Sequence, residues 1–185
     1  MKNEITYFET GGENNTNDVL EIAKKRYLEG EIDGVVIASS LGRTALLAAE
    51  KFADTKVKLI IVGEVLEGEQ SPSSEISDLL IDKGHKVIWG IPMGKMSKFS
   101  KNDTSSLIAD AYKRVSEGFK VVCEIVFIAT SLGFLKIGQK VLSIAGTHNG
   151  ADTAVVARAG GFDSFYEFQV YEILCKPYQR QSKGK

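Results

Sequence analysis

The sequence has almost no net charge, little cysteine and no long apolar run. Among 185 residues, 23 lysines and arginines face 24 aspartates and glutamates, a formal charge of −1. A nucleic-acid-coating domain is usually clearly basic, so the balance argues against nucleic acid as a partner. The local basic groups, Lys24-Lys25-Arg26 and the stretch from Lys176 to Lys185, read as solvated surface. The two cysteines, Cys123 and Cys175, form no CxxC and no disulfide framework. Cys123 lies in an apolar run and reads as a small core residue. The longest apolar stretch, Val121 to Ala129, holds Glu124 and is too short to span a bilayer. No basic segment leads into an apolar one at the start, so no signal peptide and no membrane are expected. The chain reads as cytoplasmic.

Standard catalytic signatures are missing too. There is no GxGxxG, HExxH or GxSxG. The run Gly90-Ile-Pro-Met-Gly94-Lys95-Met96 falls one residue short of a P-loop and has Met where a hydroxyl should hold magnesium. Only two histidines occur, His85 and His148. His85 follows the helix-ending Gly84 and reads as structural. No metal site is expected.

What is present is an ordinary globular composition, 43% hydrophobic and 25% charged, with an excess of glycine at 18 residues. The length suits a single domain over 1–176, followed by a polar tail over 177–185. Met1 to Phe8 suits a short strand or an extended arm. A helix begins at Thr16 to Asp18, with Thr16 or an Asp18/Glu21 capping box as its start. Gly34 to Ala38 is apolar without alternation, the pattern of a buried parallel strand. A helix to about Ala53 follows, then strands over Val57–Gly63 and Lys86–Trp89 around a helix opened by Ser71-Pro72. Gly90 to Lys101 is a loop. Asp103 caps a helix stopped by Gly118. Val121 to Gly133 is ambiguous, β-branched in content yet long enough for a helix. Val141–Ala145, Thr153–Ala157 and Phe168–Leu174 complete the strands. Alternating strands and helices define an α/β fold of three layers, α/β/α, with a mostly parallel sheet.

Ligands in such sheets sit beyond the strand C-terminal ends, at the switch point. Two glycine-containing loops lie there. Ser39, Ser40, Leu41, Gly42, Arg43 and Thr44 link a strand to a helix. The helix N–H groups and dipole favour an anion, Gly42 lets backbone come close, and Arg43 can grip a phosphate with two donors. The competing reading has Ser40 as a mere cap and Arg43 as surface. The second loop runs Gly146, Thr147, His148, Asn149, Gly150, Ala151, Asp152 and Thr153, a donor-rich turn able to form an anion nest. Asp152 and Thr153 suit bracing equally well. Phe162, Phe165, Tyr166 and Phe168 suit core or a subunit contact better than ring stacking.

These motifs carry a resemblance. Gly34 to Ala45 resembles the first strand and phosphate loop of the pyruvate kinase C-terminal domain, and Ile128 to Gly146 resembles its later helix, Lys-x-Gly-x turn and strand. The closer likeness is to a stand-alone family of archaea and bacteria, the pyruvate kinase α/β-domain-like proteins. It rests on Tyr7-Phe8-Glu9, Asn15-Thr16, the Ser-x-x-Gly-Arg-Thr loop and Gly146-Thr147-x-x-Gly150-Ala151-Asp152-Thr153-Ala154. The resemblance implies a sheet of order 3-2-1-4-5 with an antiparallel fifth strand, counted from Gly34. It makes strands one and four neighbours, joins the two loops, and makes Val121 to Gly133 largely helical.

The chain departs from the kinase domain where Leu41 replaces a residue that is commonly Ser. It departs again where His148 and Asn149 stand in the effector loop, and where Gly63-Glu64-Val65-Leu66-Glu67 is acidic. Pyruvate kinase activity needs a barrel of about 250 residues, more than this chain holds. The expected function is binding of a phosphorylated small molecule, with no cofactor required. Alternatives are a flavin mononucleotide (FMN) protein, with His148 and Asp152 as candidate proton carriers, and a homo-oligomeric interaction protein.

Overall fold

The structure is a computed structural model that describes residues 4–64, 74–89 and 104–179. The expected Ser71-Pro72 helix start, the Gly90–Lys101 loop and the Asp103 cap lie outside the described residues. The described strands are β1 (Thr6–Phe8), β2 (Gly34–Ala38), β3 (Leu59–Val62), β4 (Lys86–Ile88), β5 (Lys140–Ala145), β6 (Thr153–Arg158) and β7 (Gln169–Pro177). The described α-helices are α1 (Thr16–Leu28), α2 (Arg43–Lys51), α3 (Ser74–Asp82), α4 (Thr104–Lys113) and α5 (Glu117–Ser131).

The seven strands form one sheet in the order β1-β7-β6-β5-β2-β3-β4. Every pairing is parallel except those of β6, which runs against both its neighbours. Counted from Gly34, the stretch β4-β3-β2-β5-β6 has order 3-2-1-4-5 with the fifth strand antiparallel. The sheet then continues through β7 and β1, beyond the expected five. Pro177 ends β7, and the Tyr178 N–H reaches the Phe8 carbonyl at 2.7 Å.

Strand residues alternate between the two faces. Val35, Ile37, Leu59, Ile61, Leu142 and Ile144 face α1, α2 and α3. Val36, Ile60, Val62, Val141 and Val155 face α4 and α5. The Val121–Gly133 ambiguity resolves as helix α5. A helix buried nearly all round has no polar stripe, so its sequence is as continuously apolar as a central strand. Gly118 does not stop the preceding helix. Ser116 caps α5, its Oγ accepting the Phe119 N–H at 2.8 Å, and Gly118 sits in the first turn. A Cβ on Gly118 would come within 2.6 Å of Asp152 Oδ1, so the glycine serves close approach.

Phe162, Phe165 and Phe168 pack around the buried Phe127, with ring centroids 5.7, 5.5 and 4.6 Å away. Tyr166 is 98% exposed and meets the cluster only through an edge-on contact with Phe165 at 5.9 Å. Arg26 makes a two-pronged pair with Glu172, at 2.9 and 2.8 Å, and ties α1 to β7. The Arg26 contact holds the Glu172 carboxyl below its usual range. Burial pushes the Cys123 thiol up, and the Cys175 thiol up to about 12, so both are inert.

His85 is structural, as its place after Gly84 implies. Its Nδ1 accepts the Leu59 N–H at 3.2 Å at the start of β3. Partial burial, with Lys58 and Lys83 nearby, holds its pKa below the ordinary imidazole value. The unfolded chain therefore takes up the proton more readily than the folded one. The stabilisation is complete above an unfolded pKa of about 6.5 and is lost as pH falls through the lower folded value. The urea midpoint should fall between pH 7 and pH 5 as the folded His85 is forced to take up a proton. His85→Gln retains an acceptor that cannot titrate and should flatten this slope. Equal slopes in both proteins would remove His85 from the account.

Candidate functional site

β2 and β5 lie side by side, with Ile37 opposite Ile144. The chain leaves β2 into α2 on one face of the sheet and reaches β5 from α5 on the other. This is the switch point, where diverging connections open a crevice. A cleft of about 840 Å³ lies there. Ser39, Ser40, Leu41, Arg43, Thr44, Gly146, His148, Asn149 and Gly150 line it. The two loops singled out in the sequence thus share one cavity.

The first loop is built by Ser39. Its N–H donates to the Val62 carbonyl at 3.0 Å, and its Oγ accepts the Ala45 N–H at 3.2 Å. Ser39, not Ser40, therefore satisfies an otherwise unpaired donor in the first turn of α2. Gly42 precedes the helix with φ +82°, and a Cβ there would come within 2.7 Å of Ile76 Cγ2 on α3. Glycine is required on both counts. Arg43 is exposed at the cleft and pairs with no carboxylate among the described residues.

The second loop divides in two. Asp152 is fully buried behind the cleft. Its Oδ2 accepts the Gly12 and Thr147 N–H groups, each at 2.9 Å, and its Oδ1 accepts the Thr153 hydroxyl at 2.7 Å. Thr153 Oγ1 also lies 3.2 Å from Ser116 Oγ. Thr147, Asp152 and Thr153 are braces, and the Asp152 side chain does not line the cleft. The N–H groups of Thr147, Ala151 and Asp152 are engaged within the fold, which leaves those of His148, Asn149 and Gly150 for the cleft. His148 takes the left-handed conformation, φ 60°.

Thr16 does not cap α1. Its hydroxyl donates to the Glu13 carbonyl at 2.7 Å and accepts the Ala151 N–H at 3.0 Å, pinning the second loop to the start of the helix. Asn17 and Lys120 also line the cleft, as do the acidic Glu13 and Glu64. Sequence reasoning did not select Lys120. Its signal was a lysine and a glutamate four residues apart at an otherwise apolar helix. No group of three or more His, Cys, Asp or Glu among the described residues could hold a metal. No described helix is long and apolar enough to cross a membrane. No family model matches the chain.

Proposed function

We propose that the cleft binds a phosphorylated small molecule, with the phosphate on the Ser39–Thr44 turn. The carrying observation is that Arg43 and the opening turn of α2 face the same cavity as the starts of α1 and α5. Each helix start brings the positive end of a dipole, which favours an anion. The volume lies within the range of about 300–1,000 Å³ usual for small-molecule sites. With Asp152 engaged in bracing, the cleft suits binding better than acid–base chemistry.

Isothermal titration with ribose 5-phosphate, other sugar phosphates and mononucleotides tests this. Arg43→Ala should weaken the best ligand by roughly 10- to 100-fold, the size of a charge-assisted hydrogen bond. Unchanged affinity in that variant would overturn the phosphate assignment.

FMN is the second reading. Leu41, Leu47 and Val121 give the cleft apolar wall that could cover a ring. No Phe, Tyr or Trp side chain lines the cleft among the described residues, which ranks this reading below the first. Quenching of flavin fluorescence on mixing supports it, and its failure at saturating protein counts against it.

A further inference from the structure

Lys120 lines the cleft from the first turn of α5. The residue is only 7% exposed, and its Nζ donates to Glu124 Oε2 at 2.8 Å. Glu124 is 1% exposed. Three features of this pair oppose stability. A cation in the first turn meets the positive end of the helix dipole. A lysine four residues ahead of a glutamate is the weaker orientation of such a pair. Desolvation of both groups offsets much of the attraction between them. The neighbouring buried positions Val122, Cys123, Ile125 and Val126 are apolar.

The placement makes sense through the cavity that Lys120 shares with Arg43. An ammonium has three donors, and Glu124 engages one of them. The carboxylate fixes the ammonium in position and leaves donors for a ligand. Two cations on separate helices suit a terminal phosphate monoester, which carries about −1.5 to −2 charges and three acceptor oxygens. A diester has less charge and fewer free oxygens.

We infer that Lys120 is the second phosphate-binding cation of the cleft, positioned by Glu124, and that the pair selects phosphate monoesters over diesters. This rests on the proposed phosphate site.

The test uses ribose 5-phosphate and its methyl diester, titrated into the wild type, Arg43→Ala and three further variants. Lys120→Met leaves Glu124 buried without its cation and can fail to fold. The double variant Lys120→Met/Glu124→Leu removes both buried charges together, and a cooperative melting curve checks that it folds. It should lose roughly 10- to 100-fold in monoester affinity, with little change for the diester. Glu124→Gln should narrow the monoester-to-diester ratio, whereas a merely structural role would lower both affinities together. Wild-type monoester affinity and selectivity in the double variant, with Arg43→Ala still impaired, overturn this inference alone. A wild-type protein that binds neither ester overturns the phosphate site, and this inference with it.

Discussion

Asp152→Ala should unfold far more easily than the wild type, by about 3–5 kcal/mol. The carboxylate is fully buried and holds two backbone N–H groups and a hydroxyl. Alanine leaves both N–H groups without an acceptor, and each buried unsatisfied donor costs about 1–3 kcal/mol. For a chain of this length the melting temperature should drop by about 10 °C. Asp152→Asn should fall between. Its amide oxygen can still accept the Gly12 and Thr147 N–H groups. Its amide nitrogen can then donate to Thr153 Oγ1, whose hydroxyl turns toward Ser116. Ligand affinity should also weaken in the alanine variant, because the Thr147 end of the His148–Gly150 segment loses its anchor. A melting temperature equal to wild type would show that the carboxylate does not brace the site.

Phe127→Ala should cost about as much, 3–5 kcal/mol, by a different route. The ring is fully buried and carries three phenylalanine neighbours. Its removal leaves a cavity that the sheet behind it cannot fill. The drop in melting temperature should again be about 10 °C. Phosphate affinity of the folded protein should stay unchanged, because Phe127 lies about 10 Å along α5 from Lys120. Thermal unfolding followed by titration separates the two variants. Affinity lost together with stability in Phe127→Ala would make the aromatic cluster part of the binding surface.

Much of the cleft was legible because its loops depend on local chemistry. A Gly-Val-Val-Ile-Ala strand running into a hydroxyl-rich turn, a glycine and an arginine marks a strand end that turns into a helix, and that turn does line the cleft. The second loop was legible by its glycines and donors, but its division into braces and cleft wall was not. That division is set by contacts remote in sequence. Thr16 meets Ala151 across 135 residues, and Gly12 meets Asp152 across 140. No spacing rule reaches that far. The start of α5 was misplaced for a related reason. Gly118 suggests a helix stop when only its neighbours are considered, while its place is dictated by Asp152 and Thr153 arriving from β6. Lys120 was hidden because a charge beside an apolar run does not reveal which way it faces.

The sheet edge also sets an order of assembly. Thr6 pairs with Cys175 and Phe8 with Pro177, so β1 finds its place only after β7 is laid down. Closing nearly the whole chain into one loop carries a large entropic cost, and such pairings form late. The turn that follows β1 and the first residue of α1 supply the Gly12 N–H and the Thr16 hydroxyl that secure the second loop. The cleft should therefore mature at the end of folding, when the first-made strand docks beside the last. In a refolding time course, ligand binding should lag behind recovery of the central strands and helices.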